Sequence, residues 1–197
     1  ADVLRASLRR FPEPSSSARF LLVASRNRLR EGDPEGSADH ARRGLGLAPP
    51  GALRDALLAQ LAGALLAGGH REEARSTAER ALADGPPERR AHWLARRVLA
   101  LLDPEPIGAL EEALAEAPPE HRSAIGVALP ALLETAGRAE EALGHAREAR
   151  EAYTGVDRAL MDLNIAVGLA RMGRHRQATA SAERAVLGLH GSGPRLF

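Results

Sequence analysis

Leu132-Leu133-Glu134-Thr135-Ala136-Gly137-Arg138-Ala139-Glu140-Glu141-Ala142 reads as the end of one helix, a tight turn and the start of a second. The leucines belong to an amphipathic run. Gly137 stops it, because a residue without Cβ enters the left-handed conformation of a helix end at little cost. Glu140 and Glu141 then sit in the first turn of the next helix, where carboxylates favour the helix dipole. The same pattern recurs at Leu65-Leu66-Ala67-Gly68-Gly69-His70-Arg71-Glu72-Glu73-Ala74 and at Leu169-Ala170-Arg171-Met172-Gly173-Arg174-His175-Arg176-Gln177-Ala178.

Along the whole chain, tight turns fall at Gly32-Asp33, Gly69-His70, Asp103-Pro104, Gly137-Arg138 and Gly173-Arg174, spaced 37, 34, 34 and 36 residues apart. A recurrence so near 34 marks stacked helical hairpins. The periodicity and the Gly/Pro punctuation predict helices over 1-11, 17-31, 34-47, 51-68, 71-84, 87-102, 105-116, 119-136, 139-153, 156-172 and 175-189. Asp33-Pro34 and Asp103-Pro104 each set a capping acid before a proline, a pattern suited to a helix start. Pro49-Pro50, Pro86-Pro87 and Pro118-Pro119 end one helix and open the next. Pro130 lies inside the predicted 119-136 helix and is expected to kink it.

Small residues keep step with the turns. Five positions past each turn stand Ser37, Ala74, Gly108, Ala142 and Ala178; four later come Ala41, Ala78, Ala146 and Ala182; three further on, Gly44, Ala81, Ala149 and Ala185. Larger side chains at a close helix crossing would overpack it.

These three stretches and this small-residue code resemble the tetratricopeptide repeat family over about residues 17-190, in the style of repeats in large bacterial regulators. The resemblance implies an all-α, right-handed superhelix of about five helical hairpins plus an N-terminal helix. We read 1-197 as a single domain, with 1-14 an N-terminal helix or cap, 15-190 five helix pairs and 191-197 a tail. Departures are clear: the family's large aromatics are mostly missing, the second helix of the third pair (87-116) is short, and its small positions fit only after a shift. The chain starts at Ala1 without Met and stops after a second helix. The expectation is a piece of a longer protein, or a dimer capped through that end.

Composition agrees with long helices. Apolar residues are 44% and aromatics 3%, so the core must be built from Leu, Ala and Val. All 27 basic residues are Arg, against 26 acids, for a net charge of +1. That balance makes no whole-chain case for nucleic acid. Without Cys there is no disulfide or thiolate metal site; a cytoplasmic location is expected. No apolar run reaches the roughly 18 residues of a membrane span.

No catalytic constellation stands out, and no cofactor or metal is expected. His40, His70, His92, His121, His145, His175 and His190 form no His-Glu-x-x-His pattern. His40 and His145 share a repeat position, which repetition explains. Gly68-Gly69 is a turn, not a phosphate loop, since neither a strand precedes it nor a Walker Lys follows.

The remaining candidate is the inner face. In the resembled family the first helices of successive repeats line a concave groove. The resemblance places there Arg19, Leu22, Arg26 and Arg30, then Gln60 and Gly63, then Arg90, Trp93, Leu94 and Arg97. Val127, Ala131 and Glu134 follow, then Leu163, Asn164, Val167 and Arg171. Asn164 matches a position where peptide-binding members bond a peptide backbone; the Lys/Asn carboxylate clamp is otherwise absent. Arg26, Arg30, Arg90, Trp93, Arg97, Asn164 and Arg171 are therefore the expected binding residues. Trp93 reads either as a groove anchor or as core. The expected function is a non-enzymatic scaffold that binds an acidic or extended peptide of a partner protein. The alternative is a sensor or oligomerisation segment of a larger bacterial transcriptional regulator, self-associating through its C-terminal end.

Overall fold

The computed structural model describes residues 13-191, all-α and without a strand among them. The helices are α1 (Pro14–Arg30), α2 (Pro34–Leu45), α3 (Ala52–Ala67), α4 (Arg71–Asp84), α5 (Arg90–Leu101), α6 (Pro106–Glu116), α7 (Arg122–Gly126), α8 (Leu129–Thr135), α9 (Ala139–Ala152), α10 (Gly155–Arg171) and α11 (His175–Gly191), with a 3-10 turn at Pro119–His121. The expected helix over 1-11 and nearly all of the 191-197 tail lie outside the described residues. Contacts divide the chain into two compact units, Ala1–Pro104 and Glu105–Phe197.

Four of the five turns close identically. Gly32, Gly69, Gly137 and Gly173 have φ of 78°, 82°, 78° and 75°. At each, the next residue's N–H reaches back to a carbonyl five residues earlier: Asp33 to Arg28 at 2.9 Å, His70 to Leu65 at 2.9 Å, Arg138 to Leu133 at 2.8 Å and Arg174 to Leu169 at 2.9 Å. This Schellman closure satisfies carbonyls that a helix end otherwise leaves open, and it needs a left-handed residue. The third turn has none. There α5 frays through Leu102 and Asp103, whose N–H bonds the Ala100 carbonyl at 3.2 Å. Asp103-Pro104 does not start a helix, contrary to the expectation; α6 begins two residues later at Pro106, behind Glu105. Asp33 does cap, accepting from the Gly36 N–H at 2.8 Å.

In the first unit, the small-residue code forms the helix contacts. Ser37, Ala41, Ala74 and Ala78 are each fully buried, packing with Leu58, Leu61, Leu65 and Val98 around α3. Ser25 of α1 donates to the Ser37 carbonyl at 2.8 Å, its hydroxyl lies 3.0 Å from that of Ser37, and Gln60 of α3 donates to Ser37 Oγ at 3.3 Å. Three helices thus meet at one satisfied polar knot. Asp55, 2% exposed, accepts from Arg89.

In the second unit, Leu143, Ala146, Tyr153, Met161, Ile165 and Leu169 form the core. The predicted 119-136 helix is broken rather than kinked. After the 3-10 turn, α7 ends at Gly126 and α8 restarts at Leu129 with Pro130 in its first turn. Proline has no N–H to continue the ladder and is tolerated at a helix start, so the chain begins a new helix there.

Candidate functional site

On α1, the 3.6-residue period puts Arg19, Val23, Arg26 and Arg30 on one face, with Ala18, Leu21, Leu22 and Ser25 turned to the core. Leu22 is 8% exposed and belongs to the core, not to the groove expected from the sequence. Arg90, Leu94 and Arg97 share a face of α5, with Arg90 exposed and Leu94 and Arg97 half-buried. Gly63 of α3 leaves open space where a side chain would stand.

Arg26 and Arg30 are both exposed on that face of α1. The Arg26 guanidinium is held below its ordinary value, first by partial burial and then by the positive fields of Arg30 and Arg90. Neither Arg26 nor Arg30 meets an acid among the described residues. Like charges raise each other's cost.

Of the two readings of Trp93, groove anchor or core, the structure takes the second, and its place among the expected binding residues falls. Trp93 is 5% exposed, its Nε1–H donates to the Pro87 carbonyl at 2.6 Å, and its ring meets His92 edge-on at 5.2 Å. Together with His92 Nδ1, 3.0 Å from the Gly85 carbonyl, it fastens the 85-89 loop to the start of α5. A buried indole whose donor is already used is no groove anchor.

In the second unit, Leu163 and Val167 of α10 are 41% and 39% exposed, one turn apart. Asn164 lies between them, half-buried, and its side chain makes no hydrogen bond among the described residues. Arg171 is committed elsewhere. Its guanidinium lies 3.6 Å from Glu134, whose side chain is 8% exposed. Glu134 packs against Gly168, where a Cβ would come within 3.1 Å of the carboxylate. Arg171 is thus a counter-charge for a buried acid rather than a donor kept for a ligand.

A further cluster escaped the sequence reading. Asp162 of α10, with its side chain 6% exposed, accepts on one oxygen from Arg150 Nε at 2.8 Å and Arg184 Nε at 3.0 Å. The hydrogen bond to Asp162 raises the Arg150 guanidinium above its ordinary range. A lone acid in the apolar run Met161-Asp162-Leu163-Asn164-Ile165 is the signal that marks it, because a buried carboxylate requires a partner.

Among the described residues, no group of three or more His, Asp or Glu is placed to hold a metal ion, and no helix is long and apolar enough to cross a membrane. No protein-family model matches the chain, and no curated protein matches it. Solved structures do. BtubC (BKLC) from P. vanneervenii is 17% identical with a TM-score of 0.54, the match covering 98% of this chain and 89% of that one. A point variant of nearly identical TPR-like repeats from Podosopora anserina is 18% identical with a TM-score of 0.50, over 91% of this chain and 97% of that one. At such identity the likeness is one of fold, and the fold is an all-α, tetratricopeptide-like array of helical hairpins.

Proposed function

We propose that this chain is a protein-interaction scaffold whose first unit takes an extended, acidic segment of a partner protein on the arginine face of α1. The observation that carries the reading is that Arg26 and Arg30 stand exposed on one face of α1 and neither meets an acid among the described residues. A carboxylate is the complementary group, because a guanidinium binds it through two parallel N–H donors. The Leu163–Val167 face of the second unit, with the open amide of Asn164, is a separate surface that suits apolar contact and a backbone hydrogen bond with a peptide of its own. Trp93 and Arg171 are not part of this proposal.

The test is fluorescence anisotropy with labelled acidic, neutral and basic peptide libraries. Acidic peptides are expected to bind best and to weaken with salt. Arg26→Glu and Arg30→Glu are expected to weaken them about tenfold or more, since a charged hydrogen bond contributes about 1.5–3 kcal/mol. Equal binding of acidic and neutral peptides, or no response to either substitution with helicity unchanged, would sink the reading.

A second reading has one observation in its favour. Val186, Leu187 and Leu189 on α11 are 52%, 73% and 38% exposed, an apolar surface suited to self-association in a larger bacterial regulator. Light scattering after chromatography decides it: Leu187→Glu should lower a concentration-dependent mass, and a concentration-independent monomer removes the idea.

A further inference from the structure

The second unit also carries a cavity of about 520 Å³ between α9 and α11. Ile165 and Leu169 of α10 form its floor, and Arg147, Arg150, Arg184, Gln177 and Ser181 supply most of its polar wall. By helical period, Asp162, Ile165 and Leu169 lie on the side of α10 opposite Leu163 and Val167. The cavity is therefore distinct from the peptide face proposed above.

We infer that this cavity is a binding site for a carboxylate carried on a short aliphatic chain. The charge count is the first argument. Three guanidiniums face two acids: Asp162, buried beneath them, and Glu151, whose oxygen lies 2.6 Å from Arg150 Nη1. One arginine would neutralise Asp162; the structure supplies two, and adds Arg147, which meets no acid among the described residues. The surplus is one positive charge in a concave site, where low-dielectric walls focus the field.

Preorganisation is the second argument. Asp162 holds Arg150 and Arg184 by their Nε atoms, and Ser181 Oγ accepts from Arg184 Nη2 at 2.9 Å. Each guanidinium has five N–H donors in a rigid fork, so both keep donors beyond those bonds. Their rotamers are already set, which removes an ordering cost from binding. The apolar floor is the third argument. Inorganic anions gain nothing from Ile165 and Leu169, whereas a methylene chain buries against them. The volume is that of a small-molecule site. A free organic acid and a glutamate side chain of a peptide present the same chemistry.

The test is isothermal titration calorimetry and amide chemical-shift mapping of the full chain with sodium glutarate, and in parallel with a capped triglutamate peptide, against sodium chloride at matched ionic strength. Saturable binding with shifts confined to α9, α10 and α11 is expected. Arg147→Ala, which removes an arginine without an acid partner, should weaken it about tenfold, and Arg184→Gln likewise; Arg80→Ala on α4 is the charge-matched control. Saturation by glutarate identifies a free acid, and saturation by the peptide alone identifies a side-chain carboxylate; either supports the site. Failure of both to saturate, or binding that Arg147→Ala leaves unchanged while the fold is intact by circular dichroism, overturns it.

Discussion

Asp162→Asn separates charge from shape at the centre of the second unit. The amide keeps the size of the carboxylate and one acceptor oxygen, so the shape of the buried side chain is retained. What is lost is the negative charge between two guanidiniums whose Nε atoms stand 2.8 and 3.0 Å from one oxygen. A hydrogen bond to a charged group contributes about 1.5–3 kcal/mol net, and a neutral one about 1. The Arg150 arm, 21% exposed, should therefore lose about 1 kcal/mol. The Arg184 arm, 46% exposed and screened by solvent, should lose about 0.5. Uncancelled repulsion between the two arginines adds a further contribution of about 0.5 kcal/mol at the effective dielectric of a half-exposed site. The total is about 2 kcal/mol.

Urea denaturation read by far-ultraviolet circular dichroism measures this. With a slope of about 2 kcal/mol/M, the midpoint should fall by about 1 M. Hydrogen exchange should place the loss in α9, α10 and α11. Glu151→Gln is the matched control: the same Arg150 meets that acid at 2.6 Å, but Glu151 is 72% exposed, and its loss should stay under about 0.5 kcal/mol. If the two substitutions shift the midpoint equally, burial does not set the strength of these pairs. The picture of Asp162 as the anchor of the arginine forks then fails.

Packing and burial dictate four other outcomes. Gly63→Ala should stabilise by about 0.5–1 kcal/mol, since a Cβ there meets nothing within 4 Å and alanine is the better helix former. Gly44→Ala should instead destabilise by about 1 kcal/mol, because its Cβ would lie 2.7 Å from a Leu57 methyl that is fully buried and overpacking exceeds the propensity gain; matching thermal midpoints for the two would contradict this. Arg89→Ala should cost about 2–3 kcal/mol by leaving the Asp55 carboxylate buried without its partner, read as a lower urea midpoint. Burial holds His40 below the ordinary histidine range, against the weaker pull of Asp39, whose oxygen at 3.6 Å is beyond hydrogen-bond reach. The unfolded chain then binds the proton first, so His40 costs no stability above about pH 6.5 and destabilises as pH falls through that value; His40→Gln should flatten the pH profile of the thermal midpoint.

The hairpins were legible because their signal is local. Four glycines at φ near 80° are written as Gly followed by a helix-starting residue, and the fully buried Ala74 and Ala78 repeat at fixed distances from them. The third turn shows the limit of that code. Asp103-Pro104 has the letters of a cap, yet without a left-handed residue before it the preceding helix has no closed end to turn from, and α6 waits for Pro106. At Pro130 the missing N–H was legible, but not its consequence. A kink and a break differ by whether the preceding turn is held in place, and that depends on what the neighbouring helices pack against Gly126 and Val127.

The candidate site divides along the same line. Which residues share a helix face follows from period alone, and so Arg26 and Arg30 fall together on α1. Which residue is already engaged depends on contacts across helices. Trp93 finds its acceptor six residues back, in the Pro87 carbonyl. Arg171 finds Glu134, 37 positions earlier, through a gap that only Gly168 leaves. The Asp162 cluster was hidden for a related reason: Arg150, Asp162 and Arg184 sit on three different helices, and neither arginine is unusual beside its own neighbours in an arginine-rich chain. Asp162 alone breaks an apolar run. A buried acid in such a run must be answered by a cation, and here two arginines answer it from the helices on either side, at 2.8 and 3.0 Å from one oxygen.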